Sequence, residues 1–231
     1  MKPILLNGNV GLDAQTDIDH TYALMREMQG SSLPLPILRV YQPRPTVAFS
    51  RRESLMPSFA AAEMAARDHG FASVIRLAGG RAVAYDKTCL VIDLITPTDR
   101  RIANDLVFDV AAECVRMVLM DLGVDARVGP VPREYCAGAH SVNARGVVKL
   151  VGIAQRVTRG ARLVAASIAL GPGLELSAVL SDVYAAMSLD WDPSTFGTLA
   201  DEVTPAVLLA AAGDITNGLA ETHTKWAETP V

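Results

Sequence analysis

Two long apolar segments, residues 147–158 and 161–170, are separated only by Arg159 and Gly160. A connection of two residues that includes glycine is typical of a tight turn between antiparallel strands. The chain is therefore expected to contain a long β-hairpin. The apolar faces of such a hairpin have to be covered by other elements.

Periodic segments elsewhere in the chain supply those elements. Apolar residues at helical spacing, with Asn104 as an N-cap and Gly30 and Gly123 as stops, predict helices over residues 16–29, 57–69, 105–122, 176–187 and from 204 onward. Short apolar runs predict strands at residues 37–41, 46–49, 73–77, 82–85 and 89–95. This order indicates an α/β (α+β) fold with a mixed, largely antiparallel central sheet flanked by helices. No linker divides the chain, so we expect one domain over residues 1–231.

Composition narrows the class of protein. The 231 residues carry a net charge of −4, which is unlike the basic surface of a nucleic-acid-binding protein. No signal peptide is recognisable, and no segment approaches the roughly 20 apolar residues that cross a bilayer. Three widely spaced cysteines are typical of a reducing compartment. We expect a cytoplasmic protein that binds neither nucleic acid nor membrane.

Lys149 is a candidate for a buried cation. A strand period of two places it on one face with Val151, Ile153, Gln155 and Val157. If that face is buried, the ammonium group needs an anionic or strongly polar partner, such as an acyl carbonyl or a phosphate. The alternative is an exposed lysine that protects the edge of a sheet.

The three cysteines differ in their surroundings. Cys89 lies in an apolar strand and Cys114 on the apolar side of a helix, so both are expected to be unreactive packing residues. Cys136 lies in a polar loop that also holds Arg133 and His140. A thiol that is partly exposed and close to positive charge can act as a nucleophile, and these two residues and Lys149 are possible sources of charge. An incidental loop cysteine is the alternative.

A glycine pair with flanking arginines forms a second candidate site. Arg76 and Arg81 enclose Gly79 and Gly80, where the backbone could approach a ligand closely. The spacing matches neither a Walker loop nor a dinucleotide fingerprint. By itself this pattern favours a tight turn between strands.

Together these stretches resemble the lipoate–protein ligase and octanoyltransferase family, which also includes the biotin–protein ligases. Residues 76–86 resemble its arginine and glycine substrate-binding motif, and residues 148–156 its Lys-x-x-Gly-x-Ala-Gln motif. Residues 45–51 are similar to the family strand that usually ends in Gly-Arg. The order and the intervals of the three motifs fit, and the likeness extends over roughly residues 10–200.

The resemblance implies a fold and a site. The family fold is a mixed sheet flanked by helices, and we expect a single catalytic domain without a C-terminal accessory domain. In the family the lysine, here Lys149, holds the acyl carbonyl. In one branch, a cysteine in the preceding loop forms an acyl-thioester without ATP, and Cys136 is similar to it. The other implied substrate-binding residues are Arg51, Arg76, Gly79, Gly80, Arg81, Tyr85, Asp86, Asn143, Gly152 and Gln155.

The chain departs from the family pattern at three places. Tyr85 stands where a histidine usually precedes Asp86, and Arg81 replaces a glycine. On the second strand of the hairpin, Ala165-Ala166-Ser167 stands where many members carry His-Gly. These departures weaken the case for ATP-dependent ligation and leave the acyl substrate open.

Three functions follow as hypotheses. The first is transfer of an octanoyl or lipoyl group to a lysine of an acyl carrier protein or lipoyl-domain protein through Cys136, without a cofactor and with His140 as a minor proton-transfer candidate. The second is an ATP- and Mg²⁺-dependent ligase acting on free lipoate, octanoate or biotin. The third is an acyl-binding protein without catalysis. Arg156, Arg159 and Arg162 surround the hairpin turn and form a candidate docking surface for an acidic carrier.

Overall fold

The computed structural model describes residues 3–8, 13–31, 35–98 and 102–227. Its helices are α1 (Ala14–Gly30), α2 (Phe59–Asp68), α3 (Asn104–Asp121), α4 (Leu174–Ala186) and α5 (Pro205–Ala227). Its strands are β1 (Ile4–Gly8), β2 (Ile37–Tyr41), β3 (Thr46–Ser50), β4 (Ala72–Arg76), β5 (Val83–Tyr85), β6 (Cys89–Pro97), β7 (Ala126–Val128), β8 (Val142–Ala144), β9 (Val148–Val157) and β10 (Ala161–Ala169).

Seven strands form the main sheet in the order β1-β2-β6-β10-β9-β8-β7. The predicted hairpin is present as β9 and β10, and β10 also pairs antiparallel with β6 along its full length. Within this sheet only β1 and β2 run parallel among the described strands. The prediction of a mixed, largely antiparallel sheet with helical cover is confirmed.

A second sheet of three strands, in the order β4-β3-β5, was not expected as a separate layer. Three short strands of the main sheet, β1, β7 and β8, were also not predicted. Each is three to five residues long and is paired with a neighbouring strand. This tertiary pairing decides their conformation.

Helix α3 begins one residue earlier than predicted. Ala103 occupies the N-cap without a side-chain hydrogen bond, and Asn104, predicted as the cap, is the first helical residue. The Asn104 carbonyl accepts a hydrogen bond of 3.0 Å from the Gln155 side chain of β9. A strand therefore fixes the start of this helix, in place of a local cap.

Strand β9 contains a β-bulge that positions Lys149. Val142 of β8 pairs with Val151, whereas the next residue, Asn143, pairs with Lys149, so Leu150 is an extra residue in β9. Leu150 and Val151 both pack in the core cluster under α3 and α5. The Lys149 side chain lies against Gly152 instead. The prediction that Lys149 shares a face with Val151 and Ile153 is wrong, because the bulge shifts the alternation by one residue.

Three groups of apolar side chains hold the layers together. The small sheet packs with α2 and α4, the main sheet packs with α3 and α5, and α1 covers the main sheet through Leu24, Met25 and Met28. None of the helices in the described ranges is both long and apolar enough to span a membrane. The face of the main sheet toward α1 is only partly filled, and this leaves room for a cavity.

Candidate active site

A cavity of about 690 Å³ lies over the main sheet between α1, the β4–β5 loop and the loop that precedes β8. Its floor is built of small side chains, Gly152 and Ala154 of β9 and Ala165 and Ser167 of β10. These pairs lie side by side across the hairpin, Ala165 opposite Ala154 and Ser167 opposite Gly152. Small residues on adjacent strands leave space above the sheet that larger side chains would fill.

Cys136 lies at the wall of this cavity in a constrained loop. Its φ angle of 42° is in the left-handed region, which costs a residue other than glycine about 1–3 kcal/mol. Two hydrogen bonds hold the residue: the Arg81 N–H donates to its Sγ at 3.1 Å, and its own N–H donates to the Tyr184 hydroxyl at 2.7 Å. That hydroxyl in turn donates to the Ala82 carbonyl at 3.1 Å. The half-buried sulfur is thus held in a fixed position at the cavity wall.

Gly80 brings Arg76 and Cys136 together. A Cβ atom at this position would lie 2.7 Å from Cys136 Sγ and 3.0 Å from Arg76 Nη2, and the φ angle of Gly80 is +104°. Only glycine therefore fits between the sulfur and the guanidinium group. Arg76 Nη2 donates to the Arg81 carbonyl at 2.8 Å, while its buried Nε has no hydrogen-bond partner among the described residues.

The two charged residues predicted in the same loop, Arg133 and His140, are paired with acidic side chains, although His140 also lines the cavity. Arg133 is exposed and pairs with Asp190 at 2.9 Å. The His140 ring pairs with Asp109 at 3.0 Å and stacks on Phe108 of α3. Arg76, which the sequence analysis treated only as a ligand contact, thus supplies the positive charge beside the sulfur.

Lys149 is 1% exposed, so the interpretation as an edge-strand lysine is wrong. Its ammonium group donates to Glu134 Oε1 at 3.2 Å and to the carbonyls of Tyr135 and Cys136 at 3.0 and 2.8 Å. These contacts use all three donors of the ammonium group. The polar partner of the ammonium group, which was expected to come from a ligand, is therefore supplied by the protein itself.

Glu134 is the residue that sequence reasoning missed. Its carboxylate is buried and accepts further hydrogen bonds from the Val131 and Gly138 N–H groups and from the Ser141 hydroxyl. One carboxylate thus closes the loop around Cys136 and neutralises Lys149. The only sequence signal was a glutamate two residues before the cysteine, and its distance of 15 residues from Lys149 is not a recognisable spacing.

Most of the predicted substrate-binding residues line the cavity. They are Arg76, Gly79, Gly80, Tyr85, Gly152 and Gln155, together with Cys136 and Lys149. The Gln155 amide is already engaged, since it donates to the Asn104 carbonyl and its Oε1 accepts from Arg162 at 2.8 Å. Arg162 is itself 3% exposed, so its predicted place in an exposed basic hairpin tip is wrong. Arg156 and Arg159 remain exposed.

Four predicted site residues are not among the described residues that line the cavity: Arg51, Arg81, Asp86 and Asn143. Asp86 accepts from the Thr88 N–H and hydroxyl, and Asn143 bridges the Gly129 carbonyl and the Gly146 N–H. These two side chains stabilise turns. Arg51 is exposed after β3, and Arg81 contributes its backbone N–H to Cys136.

The remaining two thiols are inert, as expected. Cys89 is 2% exposed, and burial raises its pKa to about 12. Burial also raises the pKa of Cys114. Both thiols are therefore expected to stay protonated at neutral pH. Nucleophilic attack needs the thiolate form.

The end of the cavity beside β6 is polar. Asp93 of β6, Tyr41 of β2 and Tyr85 of β5 line it together with Thr21 of α1. The Thr21 hydroxyl donates to Asp93 Oδ2 at 2.6 Å. Burial raises the pKa of Asp93 and of both tyrosines.

A buried arginine joins this end to α1. Arg39 of β2 lies 3.6 Å from Asp93, forms an ion pair with Asp17 and stacks over the Tyr41 ring. This cluster was not predicted from the sequence, because the strands that carry it are recognisable by their apolar residues and not by their charged ones.

Comparison with known proteins adds to this geometry. The family model of the lipoyl protein ligase A/B catalytic domain matches residues 13–194. An octanoyl-GcvH:protein N-octanoyltransferase from Anoxybacillus flavithermus is 28% identical over 160 residues, which are 68% of this chain and 57% of that protein. An enzyme of the same name from Exiguobacterium sibiricum is 33% identical over 119 residues, 51% of this chain and 43% of that protein. The chain thus spans about half the length of these curated relatives.

Solved structures share the fold. A bi-partite lipoate protein ligase from Thermoplasma acidophilum superposes with a TM-score of 0.69 at 24% identity, covering 97% of this chain and 84% of that chain. A lipoate-protein ligase A bound with ATP superposes with a TM-score of 0.70 at 22% identity, covering 97% of this chain and 86% of that chain. At these identities the likeness establishes the architecture alone.

Alkylation should distinguish the three thiols. With iodoacetamide at about pH 8, close to an ordinary thiol pKa, we expect Cys136 to be modified first in the folded protein and Cys89 to be protected. Peptide mass spectrometry measures this, and denatured protein, in which all three should react, is the control. Modification of Cys89 as fast as Cys136 would contradict the assignment.

Removing Glu134 should destabilise the fold. Glu134→Ala leaves the Lys149 charge buried without its carboxylate, which costs about 3–5 kcal/mol in comparable buried pairs. The measurement is urea unfolding followed by circular dichroism. Adding Lys149→Met to Glu134→Ala should recover part of the loss, since no buried charge then remains. Glu113→Ala, at an exposed pair on α3, is the matched control and should change little. A loss as small as that of the control would refute the role of the pair.

Proposed function

The chain belongs to the lipoyl protein ligase A/B catalytic domain family, and on this premise we propose that it transfers a medium-chain acyl group to a protein lysine through a thioester on Cys136. One observation carries the proposal. The Cys136 sulfur lies at the cavity wall, accepts the Arg81 N–H and faces the Arg76 guanidinium across Gly80. The relatives named as octanoyltransferases support an octanoyl group as the substrate.

The first half of the reaction loads the enzyme. The Cys136 thiolate attacks the carbonyl carbon of an acyl thioester, and a tetrahedral oxyanion forms. Its collapse breaks the bond to the donor sulfur, which leaves as a thiolate and takes up a proton. The acyl group is now a thioester of Cys136, with its chain over the small residues of the sheet.

The second half transfers the group. The neutral amine of a target lysine attacks the Cys136 thioester, and an amide bond forms as the Cys136 thiolate leaves. The amine loses its proton in this step. No phosphate or redox partner is needed, because a thioester is already an activated acyl group.

Two groups are suited to stabilise the oxyanion. Lys149 reaches an acyl oxygen only if that oxygen replaces one of its present acceptors, for example the Cys136 carbonyl at 2.8 Å. Arg76 Nε has no acceptor to exchange among the described residues, but it is buried, so the guanidinium group has to shift to reach the oxygen. We assign the polarising role to Lys149 as the resemblance implies, with Arg76 as a second donor.

An ATP-dependent ligase is the competing function. It would require Lys149 to bind the phosphate of an acyl-adenylate, yet the Glu134 carboxylate lies 3.2 Å from the Lys149 ammonium. A carboxylate at this distance would repel a phosphate. We therefore favour the transferase, which needs neither ATP nor Mg²⁺.

The acceptor is proposed to be a lipoyl-domain or other acyl carrier protein. The names of the curated relatives specify octanoyl-GcvH and a protein as the reaction partners. One structural neighbour is a bi-partite lipoate protein ligase that is described together with its E2 lipoyl domain. Arg156 and Arg159 are exposed at one end of the hairpin, and Arg156 also lines the cavity. An acidic carrier docked on these two residues would present its lysine to the cavity mouth.

Replacing the nucleophile tests the mechanism. Cys136→Ser should lower transfer from octanoyl carrier protein by about a thousandfold or more, because the activated sulfur is lost. Intact-mass analysis should show an octanoyl adduct on the wild-type protein without ATP. Cys114→Ser is the matched control and should keep the adduct. Adduct or product formation that requires ATP and releases pyrophosphate would favour the ligase, and absence of any modified carrier lysine would favour a non-catalytic acyl-binding protein.

Charge reversal tests docking. Arg159→Glu should slow association with the carrier roughly threefold to tenfold at low salt, since rim charges act mainly on the association rate. Stopped-flow or surface plasmon resonance measures the rate. Arg67→Glu on α2 changes the net charge equally and should have little effect. Equal slowing by both variants would place the docking surface elsewhere.

A further inference from the structure

The polar end of the cavity is not explained by transfer of a plain alkanoyl group. Asp93, Tyr41, Tyr85 and Thr21 line it, and Arg39 and Asp17 lie behind them. We propose that this end binds a hydroxyl or carboxamide group at the distal end of the acyl chain. The inference rests on the proposed acyl transfer and specifies its substrate class.

The location suits the distal part of a chain attached at Cys136. Lys149 and Gly152 of β9 are at the Cys136 end, and Ser167 of β10 and Val91 of β6 follow across the sheet in register with Gly152. Two strand spacings separate β9 from β6, roughly 10 Å. An extended medium-chain acyl group has a similar length, so its last atoms would lie beside β6, where Asp93 is.

The space beside Asp93 is open because its neighbours are small. Asp93 pairs with Ala165, and Ala165 pairs with Ala154, so two alanines follow the carboxylate across the sheet. Ala165 is also one of the positions where the family pattern has a histidine and this chain does not. The second such position, Tyr85, lines the same cavity. Two departures from the family pattern thus alter one cavity.

The chemistry of this end favours a neutral group that both donates and accepts hydrogen bonds. Asp93 Oδ2 accepts from Thr21, and the nearest guanidinium nitrogen of Arg39 is 3.6 Å away. Tyr85 also lines this end, and its hydroxyl forms no hydrogen bond with Asp93, Thr21 or another described residue of the cavity wall. A terminal methyl group would bury the Tyr85 hydroxyl without a partner and would add no donor to the Thr21 hydroxyl at Asp93, which is unfavourable. A hydroxyl or carboxamide can donate to Asp93 and accept from Tyr85.

The charges behind the wall exclude a distal carboxylate. One cation, Arg39, faces two acidic side chains, Asp17 and Asp93. A carboxylate on the chain would add a third negative group in a buried place. Dicarboxylic acyl groups are therefore expected to be rejected.

Two competing probes test the inference. The wild-type protein is incubated with octanoyl and with ω-hydroxyoctanoyl thioesters of N-acetylcysteamine, and the Cys136 adduct is followed by intact mass. We expect the ω-hydroxy probe to load about tenfold faster, the usual effect of a hydrogen bond to a charged acceptor. Calorimetric binding of free octanoate and ω-hydroxyoctanoate should show the same preference without any transfer step.

Variants assign the preference to the wall. Asp93→Leu and Tyr85→Phe should each lower the preference for the ω-hydroxy probe by about tenfold. Tyr85→Phe removes a single oxygen and keeps the ring, so it remains informative if Asp93→Leu does not fold. Asp182→Leu, at an exposed carboxylate on α4, is the matched control and should leave the preference unchanged.

The two proposals fail in different ways. If neither thioester loads Cys136 but ω-hydroxyoctanoate binds more tightly than octanoate, the transfer reaction is wrong and the polar subsite stands. If octanoyl loads and binds as well as the ω-hydroxy compound, or better, the polar subsite is overturned and the transferase stands. A preference that survives both wall variants would also overturn the subsite.

Discussion

The buried contact between Lys149 and Glu134 is the interaction on which the site depends. An ammonium group 1% exposed to solvent is tolerated only because one carboxylate and two backbone carbonyls surround it. Those carbonyls belong to Tyr135 and Cys136, so the cation holds the segment that carries the Cys136 thiol. The carboxylate binds the same loop from its other side through Gly138 and Ser141. The same ion pair thus neutralises the buried charge and fixes the conformation of the loop.

The sequence was sufficient to predict the fold class, and two of the candidate site residues that it indicated, Cys136 and Lys149, lie in one cavity. The Arg159-Gly160 turn, the apolar stripe of α3 and the three ordered motifs are local patterns, and each corresponds to a local structure. Cys136 and Lys149 both line the cavity, and the inert character expected of Cys89 agrees with its burial. Their functional roles remain predictions.

The features that could not be predicted depend on contacts between distant segments. The bulge at Leu150 arises from the register between β8 and β9, and it moved Lys149 to the other face of the sheet. The burial of Arg162 depends on Gln155 and on the Ile102 carbonyl, which lies 60 residues away in the chain. The cluster of Arg39, Asp17 and Asp93 joins a helix and two strands. The spacing of apolar residues within a single segment does not reveal such contacts between distant segments.

The hydrogen bonds of Cys136 have a mechanical consequence. Its sulfur and its N–H are held by Arg81 and, through Tyr184, by Ala82, which precede β5 of the small sheet, whereas Lys149 belongs to the main sheet. The Lys149 ammonium group also donates to the Cys136 carbonyl, so the loop of Cys136 is held by both sheets. Substitutions along the seam between the two sheets, far from the cavity, should therefore change the position of the Cys136 sulfur relative to Lys149.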